Sequence, residues 1–307
     1  MEYGLIGERL DYSYSKIIHE KLADYTYELH PLTREEFPIF MEQHAFRGIN
    51  VTIPYKRDVI PYLDELSDSA KAIGAVNTIV NREGSLTGYN TDYSGFRYML
   101  QYHNVPVEGK KVLILGTGGA SAAVKAVFRD LGAAQIFLVS RTGSRTYVSD
   151  PSSQITCDSQ TIRKPCDNQT ASKSCDNQTA GKLCDNQTAT REFNEFPVIT
   201  YEEARLLHAD ADIIANATPV GTFPRTEDSP LDLTPFTACH TVVDIIYNPG
   251  ETALLRQAKA LEKQGISGLM MLVAQAKFAC ELFLGKPVPT KVIAQLTEEI
   301  RQYIDNR

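Results

Sequence analysis

Lys111-Val112-Leu113-Ile114-Leu115-Gly116-Thr117-Gly118-Gly119-Ala120-Ser121 decides the fold of this chain. The apolar run after Lys111 leaves no polar face, the pattern of a strand buried on both sides in a parallel sheet. The glycines let the backbone turn tightly, and Ala-rich sequence over 120–131 then reads as a helix opening at that turn. Strand, glycine turn and helix start in that order make a pyrophosphate site for a dinucleotide, with Gly116, Gly118, Gly119 and Ala120 against the phosphates. Glycine pairs alone are as common in plain βα turns; the flanking strand and helix favour the dinucleotide. Ser121 stands where the fingerprint has Gly or Ala.

Working outward, 136–139, 213–215 and 242–246 read as further buried strands, so that 104–268 forms a doubly wound parallel sheet. The second strand ends Leu138-Val139-Ser140-Arg141, with no acid to hold a ribose 2′-hydroxyl. Arg141 and Arg145 instead offer cations to a 2′-phosphate, which favours NADP over NAD. Upstream, short apolar runs at 3–6, 25–29 and 49–53 alternate with helical stretches near 16–24 and 33–44, an α/β unit. A hairpin follows, 77–80 with 85–89, turning at Asn81-Arg82-Glu83-Gly84. Beyond 266 the chain is helical again over 269–284 and 289–304.

Between 143 and 191 lie three near-repeats, Cys166-Asp167-Asn168-Gln169-Thr170, Cys175-Asp176-Asn177-Gln178-Thr179 and Cys184-Asp185-Asn186-Gln187-Thr188, with a decayed copy at Cys157. A nine-residue period almost without apolar side chains cannot build a core, so a solvated loop is expected rather than a metal, redox or docking element. Cysteines nine apart lack zinc spacing, and no metal is expected. The 307 residues suit two domains with a cleft between them. A net charge of −7 excludes general affinity for nucleic acid or anionic membrane, so any anionic ligand needs locally placed cations. There is no basic leader into an apolar stretch and no membrane-length apolar run, so a cytoplasmic compartment is expected.

The first hundred residues place polar groups in unusual positions. Gly48-Ile49-Asn50-Val51-Thr52-Ile53-Pro54-Tyr55-Lys56 ends a strand with a lysine, and Gly88-Tyr89-Asn90-Thr91-Asp92 puts an aspartate at a helix start. Taken singly, such a lysine is usually solvated and such an aspartate usually an N-cap. His19, His30 and His44 lack ligand spacing, Cys239 and Cys280 read as small core residues, and Met270-Met271 as part of an apolar helix face.

Together with the glycine motif these segments resemble the shikimate dehydrogenase family over nearly the whole chain outside 143–191. The matching segments are Ser13-Tyr14-Ser15 with His19; Asn50-Val51-Thr52-x-Pro54-x-Lys56; Gly74-Ala75-Val76-Asn77-Thr78; Asn90-Thr91-Asp92; Ser140-Arg141-Thr142-x-Ser144-Arg145; Asn216-Ala217-Thr218-Pro219-x-Gly221; Asp244-Ile245-Ile246-Tyr247-x-Pro249; and Gly268-Leu269-x-Met271-Leu272-Val273-x-Gln275-Ala276. The resemblance implies reversible NADP-dependent reduction of 3-dehydroshikimate to shikimate. It implies Lys56 and Asp92 at the reacting centre, and Ser13, Ser15, Thr52, Asn77, Tyr247 and Gln275 on the substrate. Gly116, Gly118, Gly119, Ala120, Ser140, Arg141, Arg145, Thr218 and Gly268 would hold the cofactor. It further implies a substrate domain over 1–103, a Rossmann-type NADP domain over 104–268, and helices of 269–307 returning to the first domain, in a monomer or homodimer. A set of hydroxyls and amides suits a polyol acid, and Lys56 is the natural proton donor to a ketone oxygen.

Three positions depart from the family pattern. Lys16 stands for Pro, Glu20 for Asn and Ser140 for Asn. An acid facing a carboxylate substrate is unfavourable, so Glu20 is expected to point away. The rival readings are an NAD-dependent quinate/shikimate dehydrogenase, disfavoured by Ser13 and Ser15; a catalytically silent binding relative, disfavoured by the Lys56 and Asp92 pair; and an interaction protein built on the repeats.

Overall fold

The computed structural model describes residues 1–10, 13–143 and 196–306. Ser144, Arg145 and the repeats lie outside the described residues. Six strands form the first sheet: β1 (Tyr3–Gly7), β2 (Tyr27–Pro31), β3 (Gly48–Val51), β4 (Glu65–Leu66), β5 (Thr78–Arg82) and β6 (Ser85–Tyr89), in the order β2-β1-β3-β5-β6-β4. β1 is parallel to β2 and β3, while β5 runs antiparallel to β3 and β6. The helices of this half are α1 (Ser15–Leu22), α2 (Glu36–Gln43), α3 (Asp68–Ile73) and α4 (Thr91–Tyr102).

The second sheet contains β7 (Lys111–Leu115), β8 (Gln135–Ser140), β9 (Val198–Thr200), β10 (Ile213–Asn216), β11 (Thr241–Asp244) and β12 (Gln264–Ser267). Its order is β12-β11-β10-β7-β8-β9 with every pairing parallel, and α5 (Gly119–Asp130), α6 (Tyr201–Leu207) and α7 (Ala253–Ala260) connect its strands. The chain therefore leaves β7 towards β8 on one side and returns to β10 on the other. That reversal opens a crevice beyond the carboxyl ends of β7 and β10, where open parallel sheets bind ligands.

The apolar run of β7 works as its period dictates. Val112 and Ile114 enter one core with Val124, Val127 and Phe128 of α5, while Leu113 and Leu115 enter another with Phe236, Leu254 and Leu255. The first of these cores continues into Phe96, Met99 and Leu100 of α4 and into the last two helices, α8 (Leu269–Leu284) and α9 (Val292–Asp305). α8 packs on α4, α1 and β5, so the C-terminal helices return to the first sheet. Close approach of α4 and α8 requires Gly95, where a Cβ would lie 2.7 Å from the Met271 carbonyl oxygen.

Several boundaries differ from the sequence expectation. The hairpin turns on Glu83 and Gly84 alone, both at positive φ (54° and 94°), so Asn81 and Arg82 belong to β5. β2 begins two residues late because Tyr25 N–H bonds the Ala23 carbonyl in a turn at the end of α1. β11 stops at Asp244, whose carboxylate accepts from Ile246 N–H and bends the chain out of the sheet. α9 starts at Val292, after Pro289 and Thr290 close its first turn.

Candidate active site

Between the first sheet, α8 and the start of α5 lies a cavity of about 600 Å³. Ser13, Ser15, Thr52, Lys56, Asn77, Asp92, Tyr247 and Gln275 all line it, joined by Ala120 and Gly268 from the cofactor set. The loop after β1 supplies Ser13, the start of α1 Ser15, the loop after β3 Thr52 and Lys56, the residue before β5 Asn77, and the first turn of α4 Asp92.

Each side chain is held by its local structure. Tyr55, buried with its hydroxyl donating to the Leu32 carbonyl at 2.7 Å and its ring stacked on Phe37, anchors the segment carrying Lys56. Lys56 Nζ donates to Asp92 Oδ2 at 2.6 Å, and the two side chains are only 19% and 16% exposed. The isolated readings of a solvated lysine and a capping aspartate both fail, because Asn90 caps α4 by accepting from Tyr93 N–H. Asp92 instead occupies the first turn, where the helix dipole favours its negative charge.

Asn77 Oδ1 accepts from Thr91 N–H at 2.6 Å, which leaves its Nδ2 as the donor for a ligand. Gln275 Nε2 donates to the Leu272 carbonyl, and its Oε1 lies 3.5 Å from the Thr91 hydroxyl. Tyr247 packs edge-on against Tyr14 at 5.9 Å, and burial raises its phenol pKa. Asn50 also lines the cavity, although the sequence reading assigned it no role. Its Oδ1 accepts from the buried Tyr27 hydroxyl at 2.7 Å and its Nδ2 donates to Thr78 Oγ1 at 2.9 Å. The β3–β5 register sets Asn50 opposite Thr78, a pairing that sequence spacing does not reveal. Arg9 and Met271 are further lining residues found only from the fold.

The two substitutions beside the serine motif answer one another. Lys16 Nζ meets Glu20 Oε1 at 2.7 Å, and both pin β2 by bonding Tyr27, Lys16 to its carbonyl and Glu20 to its N–H. Glu20 is absent from the cavity lining, as its charge requires. His19 is fully buried, stacked on Tyr27 at 4.0 Å.

On the second sheet, Gly116 has φ +102°, and a Cβ there would lie 2.9 Å from Thr218 Cγ2. At Gly118 and Gly119 a Cβ would meet nothing within 4 Å, so the N-terminus of α5 faces open space. Ser121, the departure from the fingerprint, turns inward and donates to the Gly118 carbonyl at 2.7 Å, stiffening the turn. Ser140 closes β8 and Arg141 follows it exposed, while Arg145 lies outside the described residues. Thr218 donates through both N–H and Oγ1 to Asn216 Oδ1. Asn216 in turn donates to Asp244, which also accepts from Thr252 at 2.7 Å; burial pushes the Asp244 carboxyl up to about 6. This chain of bonds fixes the loop after β10. Gly116, Gly118, Gly119, Ser140, Arg141 and Thr218 lie outside the cavity lining, along the second sheet.

Comparison with known proteins gives the family. The profile of the shikimate dehydrogenase substrate binding domain matches residues 5–79. The shikimate dehydrogenase (NADP(+)) of Clostridium beijerinckii is 35% identical, covering 92% of this chain and 91% of the relative. The enzyme of the same name from Halothermothrix orenii is also 35% identical, over 92% and 90%. The crystal structure of shikimate dehydrogenase 1 from Peptoclostridium difficile has a TM-score of 0.75 at 31% identity, covering 99% of both chains. That of Thermus thermophilus shikimate 5-dehydrogenase in complex with NADP(H) and shikimate has a TM-score of 0.73 at 27% identity, over 97% and 99%. On the strength of relatives this similar along nearly their whole length, the chain belongs to the shikimate dehydrogenase family.

Proposed function

We propose that this chain catalyses the reversible NADP-dependent reduction of 3-dehydroshikimate to shikimate in aromatic amino acid biosynthesis. The observation that carries the reading is the Lys56–Asp92 pair, at 2.6 Å, set among neutral hydroxyl and amide donors in one cavity. The lobe of the first sheet, with α8 and α9, is the substrate domain in this reading, and the second sheet is the cofactor domain.

The residues present fit the cofactor: an open α5 N-terminus behind two glycines suits a pyrophosphate, and Arg141 with no acid at the end of β8 suits a 2′-phosphate. Bound NADPH supplies a hydride to the ketone carbon. The ketone oxygen then needs a proton, and Lys56 Nζ delivers it. Asp92 holds Nζ in place and accepts from the neighbouring substrate hydroxyl. Ser13, Ser15, Thr52, Asn77, Tyr247 and Gln275 grip the hydroxyls and carboxylate, so that a wrong polyol leaves buried groups unpaired. Among the described residues no helix is long and apolar enough to cross a membrane, and Cys239 and Cys280 are buried free thiols. The reading takes the chain as a cytoplasmic enzyme, monomer or homodimer.

The test follows NADPH absorbance with shikimate or quinate against NADP or NAD. Turnover with shikimate and NADP that collapses in Lys56→Ala is the expected result. Preference for quinate with NAD would replace the reading by the quinate/shikimate alternative, and absence of turnover with every pair would leave a binding protein.

A further inference from the structure

Among the described residues lining the cavity, the charged groups are Arg9, Lys56 and Asp92. Lys56 and Asp92 neutralise one another at 2.6 Å. Arg9 has no carboxylate of the described residues within ion-pair distance. The described lining therefore carries one net positive charge, and it sits on the segment after β1 that leads to the two serines.

That loop is anchored on both sides of Arg9. Glu8 N–H bonds the Ile53 carbonyl at 3.3 Å, tying it to the segment of Thr52. Leu10 is buried, and its carbonyl accepts from Ser13 N–H at 3.0 Å. Ser13 Oγ accepts from Ser15 N–H at 3.2 Å, which leaves the Ser13 hydroxyl hydrogen to donate outward. α1 begins at Ser15 with no acid in its first turn, so its positive end faces the same corner. Two hydroxyls and a helix start can bond a carboxylate, yet only a cation can offset its full charge in a partly enclosed cavity.

We propose that Arg9 is a substrate-binding residue that pairs with the carboxylate of the cyclic acid held by Ser13 and Ser15, and that it sets the preference for the acid over uncharged analogues. The proposal rests on the reading of the cavity as the shikimate site. It assigns charge recognition to Arg9 and proton transfer to Lys56, so the two functions separate by mutation.

The test compares wild type, Arg9→Gln and Arg9→Lys as full-length protein, by steady-state kinetics at low and high salt and by titration with shikimate and with its neutral methyl ester. Arg9→Gln is expected to raise the KM for shikimate about fivefold while kcat and the KM for NADP hold, the size of a half-exposed ion pair. Arg9→Lys recovers most of that loss. The wild-type KM rises with salt and that of Arg9→Gln does not, and ester affinity is the same in both. Arg9 is exposed, so an unchanged melting temperature accompanies these effects. An unchanged KM for shikimate in Arg9→Gln overturns the proposal while leaving the enzyme reading intact, and a raised KM for NADP alone reassigns Arg9 to the cofactor. Wild type that neither binds nor turns over shikimate removes both.

Discussion

Lys56 can protonate a ketone oxygen only while its Nζ is held at one point, and Asp92 at 2.6 Å does the holding. Lys56→Ala is expected to lower kcat by about a thousandfold, the middle of the range for a positioned proton donor. Its melting temperature should change little, because Asp92 stays favourable at the N-terminus of α4. Rapid-mixing kinetics and a thermal melt check the two halves; a kcat within tenfold of wild type excludes the role. His19 gives a second expectation at this scale. Burial lowers its pKa from 6.5 to about 3, and its Nε2 has no hydrogen-bond partner among the described residues. Between those values the unfolded chain takes up a proton that the folded protein refuses. The stability present above 6.5 is therefore lost as the pH falls towards 3. His19→Phe keeps a ring against Tyr27 and removes the titration, so its acid unfolding midpoint, followed by circular dichroism, should move to lower pH. An unchanged midpoint would show that other groups drive acid unfolding. Lys56 and Asp92 were legible because each falls inside a motif; Asn50 shares the motif of Lys56, but its bonding to Tyr27 and Thr78, like the setting of Arg9, comes from strand register and loop folding. Arg145, read as half of a phosphate clamp, lies outside the described residues.

The elements that sequence periodicity finds are those long enough to repeat it. β7 and α8 match their expected limits, 111–115 and 269–284, because both stretches end at glycines, Gly116 and Gly285. β4, β9 and β12 have two to four residues and carry no period to read, so only pairing with a neighbour defines them. The crossing of α4 and α8 shows what an element contributes to the site. Asp92 rides on one helix and Gln275 on the other, and Gly95 lets them meet, since a Cβ there would also lie 2.9 Å from the Gln275 backbone nitrogen. Gly95→Ala should cost about 2 kcal/mol through overpacking. It should also raise the KM for shikimate more than it lowers kcat, because the proposed function gives Gln275 to substrate binding and the proton to Lys56. Urea unfolding and steady-state kinetics measure the two; stability lost with KM unchanged would mean that α8 shifts as a whole without disturbing Gln275.

For the whole molecule the second sheet should be the last part to open. β7 and β10 are buried and lie between β11 and β8, while β9 and β12 are edges. Native-state hydrogen exchange should find amides of 112–115 and 213–216 exchanging only with global unfolding, and those of 198–200 exchanging faster. Equal rates in the two sets would mean that the sheet opens as one unit. The alternation of strands and helices made a doubly wound parallel sheet legible, but the mixed order of the first sheet was not, because antiparallel β5 and β6 enter it by a hairpin whose neighbours sequence does not name. The return of α8 and α9 was carried by the family resemblance alone.

That return bears on how the protein is made. A nascent chain that has emerged through β6 and α4 possesses Ser13, Lys56, Asn77 and Asp92, yet the helix that covers them and brings Gln275 is synthesised more than 160 residues later. Until then the apolar faces of α1 and α4 have no partner from α8, and the ribosome holds a binding site without its wall. The second sheet is translated inside that interval, so the cavity closes only after the whole of the other sheet has been made, and any stop before α8 leaves Lys56 and Asp92 without the wall that would enclose a bound molecule.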